Sequence, residues 1–264
     1  MLLTSAGIRN NTLKSALAEL VGKRFTAARA VYIPTASVAT AGDHGWVIED
    51  LGRVHGLGWR EFNILELNGL PRPMVLDRLR RADVIYVEGG NHYHLANSVI
   101  ATGLAAEMAD ILESKVYVGV SAGSMIFSRN LSARTGEAFG EQEDLRILGE
   151  TPARSPFGLF DWYIKPHLSS PSFPNRTRKW FEKAAAQLDF PVYAIDDDTA
   201  VRVRGDEIDI VSEGQWALLN APGPGGQENP GGQENTVTAA AEGDQRKPVR
   251  PGRSWRLPRS ARLG

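Results

Sequence analysis

Tyr117-Val118-Gly119-Val120-Ser121-Ala122-Gly123-Ser124-Met125 joins three signals in nine residues. The apolar run 116–120 reads as a strand covered on both faces. It enters a Gly-x-Ser-x-Gly turn, and the apolar segment leaving that turn can start a helix. This is the context of a nucleophile elbow, where a serine hydroxyl stands exposed at the carboxyl end of a strand. The flanking glycines tolerate the tight backbone, and the first N–H groups after the serine face any oxyanion formed there. Ser121 is therefore the candidate nucleophile. As local structure alone, the same residues are a tight strand-to-helix turn with a capping serine.

Outward from this turn, short apolar runs alternate with helical spacing. Runs at 30–33, 62–67 and 84–87 read as strands. Segments 12–21, 46–57, 75–81 and 104–113 place apolar residues at helical intervals. The alternation predicts an α/β fold, a three-layer mainly parallel sheet with helices on both faces. A helix is expected at 175–188. Strands follow at 192–195, 199–203, 207–211 and 216–219, with a hairpin turn at Arg204-Gly205-Asp206 that makes this end of the sheet antiparallel.

Composition narrows the chemistry. The 264 residues are 42% apolar and 23% charged, with net charge −1, an ordinary globular balance with no general attraction for polyanions. There is no cysteine, which removes disulfides, thiolate metal sites and cysteine nucleophiles and leaves hydroxyl chemistry as the main covalent option. The first residues have no basic stretch before an apolar run, and nothing approaches the roughly 20 apolar residues of a membrane-spanning helix. A cytoplasmic location is expected. From about residue 221 the chain passes through a duplicated Pro-Gly-Gly-Gln-Glu-Asn (224–229 and 230–235) into an Arg- and Pro-rich end. Little there could form a core, so residues 1–220 are expected as one catalytic domain and 221–264 as a disordered, Pro/Gly/Arg-rich tail.

A serine needs a base to become a nucleophile, and five histidines are available. His44 and His55 lie in or beside a predicted helix and suit solvated or capping roles. His92 and His94 form His-x-His, a spacing that could bind a metal, but no carboxylate cluster is expected to accompany it, so no metal is expected. His167 ends a strand-like run, Phe160 to Pro166, where sheets of this kind carry their sites. It is the candidate base. Gly89-Gly90-Asn91, after strand 84–87, is a second Gly-rich strand end. It is either a plain turn or a source of one oxyanion-hole N–H beside the serine, and the fuller phosphate-loop patterns are missing.

Together these residues resemble a known family. Thr4-Ser5-Ala6-Gly7, Ile33-Pro34-Thr35-Ala36, Gly89-Gly90-Asn91, Gly119-x-Ser121-Ala122-Gly123-Ser124 and Pro166-His167 occur in the order and approximate spacing of the peptidase E (aspartyl dipeptidase) family, to which the cyanophycinases are related. The resemblance covers about residues 2–220. It implies a fold like that of class I glutamine amidotransferases, with serine in place of their cysteine. It implies Ser121 as nucleophile, His167 as base, Gly90 and Ala122 as oxyanion-hole donors, Asn91 in substrate binding, and no cofactor. The family's third triad member is an acid about 15 residues beyond the serine; Glu137 falls nearest, with Asp144 second. The family's arginine after the histidine corresponds to Arg178, which could grip a substrate carboxylate bidentately. Asp196-Asp197-Asp198 either meets a substrate's amino terminus or shapes a loop.

The expected activity is serine-type hydrolysis of short peptides, with dipeptides bearing an N-terminal Asp as the suggested substrates. The expected partner is a small peptide, with no membrane or nucleic acid, in a monomer or homodimer. Two other readings carry different expectations. A general esterase of α/β-hydrolase type would need more strands after the elbow and the order serine, acid, histidine. A catalytically silent binding protein of the same fold would have no use for both Ser121 and His167.

Overall fold

Strands of almost unbroken apolar character need cover on both faces, and the helices between them supply it. In the computed structural model, residues 1–221 and 233–234 are described. The first half runs β1 (Leu2–Thr4), α1 (Asn11–Val21), β2 (Arg29–Ile33), α2 (Gly45–His55), β3 (Glu61–Ile64), α3 (Arg72–Arg81), β4 (Val84–Val87), α4 (His92–Ala101), α5 (Leu104–Leu112) and β5 (Val116–Val120). The second half runs α6 (Ala122–Met125), α7 (Ala133–Ala138), α8 (Gln142–Leu145), β6 (Tyr163–Lys165), α9 (Arg178–Ala185), β7 (Val192–Ile195), β8 (Thr199–Arg204), β9 (Glu207–Ser212), β10 (Trp216–Leu219) and β11 (Gln233–Glu234).

Seven strands form the main sheet in the order β3-β2-β4-β5-β1-β8-β9. The first five are mutually parallel, and β8 and β9 close one edge antiparallel. Alternation along the strands assigns the two faces. Leu2, Tyr32, Val84, Tyr86 and Val118 pack against Leu13 and Leu17 of α1 and Val54 of α2. Leu3, Val31, Ile33, Ile85 and Tyr117 point the other way, into a larger core with α3, α4 and α5. Caps fix several helix starts: the side chains of Asn10, Asn91, Ser132 and Thr177 each accept a backbone N–H three residues on.

Three features depart from the sequence reading. The terminal strands do not all extend one sheet: β7 and β10 leave it for a second sheet, ordered β11-β10-β7-β6, in which β6 and β7 are parallel. β1 was hidden in a three-residue apolar run that local pattern cannot identify, yet it lies between β5 and β8. The segment after Gly89-Gly90, to which the sequence reading gave no element, is helix α4, because Asn91 caps it and His92, Tyr93, Leu95 and Val99 are buried. Past residue 221, Gln233 and Glu234 pair with β10; the rest of the Pro/Gly/Arg-rich tail lies outside the described residues. Among the described residues no single helix is long and apolar enough to cross a membrane.

Candidate active site

Strand ends build the site. β5 delivers Ser121 at φ 46°, ψ −105°, a backbone region that side chains seldom occupy and that persists only where the surroundings enforce it. The enforcement can be named. Ser121 N–H donates to the Thr4 carbonyl at 3.0 Å, and the Thr4 hydroxyl donates to the Gly119 carbonyl at 2.7 Å. Ser124 Oγ donates to the Thr4 carbonyl at 2.8 Å. A Cβ on Gly119 would stand 2.7 Å from Gly123, and one on Gly123 would collide with the Val87 carbonyl. Both glycines are therefore required by close approach of backbone, and Thr4 at the end of β1 ties the elbow down from the neighbouring strand.

The second sheet supplies the partners. β6 and β7 run parallel with Lys165 opposite Ala194, so the residues just beyond them, His167 and Asp197, emerge side by side. His167 Nε2 lies 3.0 Å from Ser121 Oγ, and its Nδ1 lies 2.8 Å from Asp197 Oδ1. This pattern assigns the proton to Nδ1, with Nε2 accepting from the serine. Ser5 donates its hydroxyl to Asp197 at 2.9 Å and accepts the His167 backbone N–H at 2.9 Å. The Ser170 hydroxyl donates to the other carboxylate oxygen of Asp197, and Arg9 is 3.5 Å from it.

The electrostatics match. Burial pushes the His167 imidazole below its ordinary value, although Asp197 draws it back up. For Asp197, burial works to raise the pKa, but hydrogen bonds from His167, Ser170 and Ser5 outweigh it and leave the carboxyl at about 2. At neutral pH the pair is thus a neutral imidazole oriented by a carboxylate, the state a general base requires.

These residues open on a cleft of about 460 Å³. Its lining includes Trp46, Asp50 and Glu88. Lys165, Glu141, Asp144, Phe173 and Arg176 line it as well. Lys165 is 1% exposed and forms an ion pair with Glu141, itself 5% exposed. Burial opposes the charge on Glu141, yet Lys165 and His92 hold its carboxyl down at about 2. The Arg176 guanidinium stacks on Phe173, 4.0 Å from the ring centroid. The donor atoms of His92, Glu141 and Asp144 lie within 4.8 Å of one another, a spacing that could hold a metal ion. The Lys165 ammonium already sits against that carboxylate, so a cation is provided by the chain itself.

Several expected residues fall elsewhere. Glu137 is exposed near the end of α7 and does not line the cleft. The buried side of that helix is Thr135 and Gly136, packed so closely on Tyr93 that a Cβ on Gly136 would strike its hydroxyl, which turns Glu137 outward. Asp144 does reach the cleft, but its carboxylate meets Asn91, whereas the acid on His167 is Asp197. Asn91 does not line the cleft; its oxygen caps α4 and its NH2 donates to Asp144, so its polar atoms serve the structure. Arg178 is the first residue of α9, bonded to Glu182 one turn on, and Arg176, two residues earlier, faces the cleft instead. Gly90 lies in the turn beside the serine, since a Cβ on Gly89 would be 3.2 Å from Ser121 Cβ. Gly90 and Ala122 come just after the ends of β4 and β5.

A model of peptidase family S51 matches residues 1–211. The chain belongs to peptidase family S51. Among relatives in this family, Peptidase E of Shewanella denitrificans is 29% identical over 148 residues, which are 54% of this chain and 59% of that protein. The chain thus spans about three fifths of the length of that relative. Solved structures share the fold. A Listeria monocytogenes chain described as a peptidase E protein superposes with a TM-score of 0.64 at 22% identity, over 81% of this chain and 98% of the other. A peptidase from an acI-B1 Actinobacterium gives 0.62 at 20% identity, over 94% and 95%.

Proposed function

We propose that this S51 protein is a serine peptidase that cleaves short peptides through an acyl-enzyme on Ser121. The observation that carries the reading is the unbroken relay Ser121–His167–Asp197, at 3.0 and 2.8 Å. In this mechanism Ser121 Oγ attacks the scissile carbonyl while His167 Nε2 takes its proton. Asp197 keeps the imidazole in the correct tautomer and stabilises the imidazolium without itself becoming protonated. The carbonyl oxygen, now an oxyanion, accepts hydrogen bonds from the N–H groups of Gly90 and Ala122. His167 then gives the proton to the departing amine, and a water molecule repeats the sequence to release the acid and restore Ser121.

The finer part of the proposal concerns the substrate. Arg176 is a partly buried guanidinium that faces the cleft with aromatic rings for neighbours, an arrangement suited to gripping a carboxylate. Asp144, which lines the same cleft, offers negative charge to an ammonium group. A dipeptide whose first residue carries both groups, an N-terminal Asp, satisfies both at once. A Drosophila melanogaster relative named a probable alpha-aspartyl dipeptidase, 25% identical over 147 residues, agrees with this choice. Hydrolysis of Asp-Xaa dipeptides, followed by free amino-acid analysis, tests it: the wild type should cleave them and Ser121→Ala should not. Cleavage of other dipeptides but not Asp-Xaa would discard the acidic specificity and keep the peptidase.

A further inference from the structure

Asp50 and Glu88, which line the cleft, belong to a buried network that the relay does not use. Glu88 directly follows β4, immediately before Gly89-Gly90, and is fully buried, as is Tyr86, with Asp50 4% exposed. One carboxyl oxygen of Glu88 accepts the Gly89 N–H at 2.7 Å, and the other accepts the Tyr32 hydroxyl. Asp50 accepts the Tyr86 hydroxyl at 2.7 Å and the Arg53 guanidinium at 2.8 Å. Tyr32 and Tyr86 stack, 5.6 Å between centroids and 12° apart in plane. Four polar side chains from β2, from β4 and the residue after it, and from α2 thus converge under the turn that carries the Gly90 N–H.

That turn needs holding. Gly90 has φ 128°, and a Cβ there would come 2.7 Å from the Ser37 Cα, so the backbone is threaded through a space only glycine fits. Glu88 N–H donates to the Ile33 carbonyl and Asn91 N–H to the Ala36 carbonyl, which anchors the two ends of the turn. The Gly89 peptide lies between these anchors. Without a nearby acceptor its buried N–H would be an orphan, and the peptide could rotate to find one. Rotation there would re-aim the next N–H, that of Gly90.

We propose that Glu88 is a positioning residue for the proposed peptidase reaction: its carboxyl, clamped between Tyr32 and the Gly89 N–H, locks the turn so that the Gly90 N–H is a preformed oxyanion donor beside Ser121. The inference rests on Ser121 being the nucleophile. The groups facing the Glu88 carboxyl are Tyr32 from β2, Tyr86 on β4, and Asp50 with its partner Arg53 from α2, and Glu49 lines the same cleft. Burial, followed by the negative charge of Asp50, raises the Glu88 carboxyl well above its ordinary value. It is the neutral acid that donates no charge to the hole. When rising pH ionises it, a second buried anion appears beneath the developing oxyanion and opposes it.

The test compares Glu88→Ala, Glu88→Gln and the wild type by Asp-Xaa turnover and by the rate of fluorophosphonate labelling. Glu88→Ala should lower kcat and the labelling rate about 10- to 100-fold with KM within about twofold, as expected when a transition-state donor is misplaced. Glu88→Gln keeps an oxygen acceptor for Gly89 and cannot ionise. It should recover activity to within about threefold and lose the alkaline decline of kcat. Folded Glu88→Ala with wild-type labelling and turnover overturns the inference. So does equal impairment of both variants with kcat and KM changed together, which would mark a merely structural carboxyl. Should Glu88→Ala not fold, the Gln variant decides, and an alkaline limb like the wild type's overturns the inference. A wild type that takes no label on Ser121 overturns the peptidase reading and this inference together, whereas labelling unaffected by Glu88→Ala removes this inference alone.

Discussion

At the scale of single residues, the acid partner is where sequence and structure diverge most, and so it is the sharpest place to test. Asp197→Asn should lower kcat about 10³- to 10⁴-fold, because an amide can present the wrong hydrogen-bonding face to His167 Nδ1 and no longer balances the imidazolium. Glu137→Gln should leave both kcat and KM at wild-type values, since that side chain is exposed on α7. Steady-state kinetics on the two variants separates them, and the reverse outcome would restore Glu137. Arg176→Ala should raise KM for Asp-Xaa by an amount equivalent to about 1.5–3 kcal/mol, the worth of a charged hydrogen bond, and Arg178→Ala should not. The two arginines differ by two positions, and spacing alone favoured Arg178. What separates them is that Thr177 caps α9, so Arg178 is committed to the helix while Arg176 remains in the loop above the cleft.

At the scale of elements, the legible parts were those whose physics is local. The buried strand, its glycine-flanked turn and the following helix all lie within 116–125 and could be read directly. His167 was legible because a proline-marked strand end is itself a local signal. Asp197 was visible only as one of three consecutive aspartates. Its selection depends on β6 and β7 lying side by side in parallel, a pairing across about 30 residues that no window contains. Thr4 and Ser5 likewise act on residues more than a hundred positions away. Close approach at the elbow yields its own prediction. Gly123→Ala would drive a methyl group into the Val87 carbonyl and should destabilise the fold by at least the 1–3 kcal/mol typical of overpacking, seen as a lowered melting temperature. An unchanged melting temperature would mean the elbow is looser than its geometry implies.

At the scale of the whole molecule, the two sheets meet where the relay sits, so its titration should couple chemistry to folding. His167 is held below its ordinary value by burial, which favours the neutral form in the folded state. Its contribution to stability is therefore complete above about 6.5 and lost as pH falls through the lowered value. The acid limb of kcat/KM should likewise lie below 6.5. Because Asp197 works to raise His167, Asp197→Asn should move that limb to still lower pH even as it slows the reaction. Asp197 itself, at about 2 when folded, stabilises above its unfolded value of 3.8 and loses that contribution as pH falls toward 2. A pH series of urea melts should show wild-type stability falling in both windows, and Asp197→Asn should shrink the lower fall to the part that Glu141, also held at about 2, contributes.

All of these expectations depend on one covalent event. The most direct measurement is mass mapping of the protein after reaction with a fluorophosphonate. One adduct should appear, in tryptic peptide 116–129 and on Ser121 rather than Ser124 or Ser128, and His167→Ala should abolish it. An adduct on another residue, or labelling that survives His167→Ala at the wild-type rate, would contradict the relay.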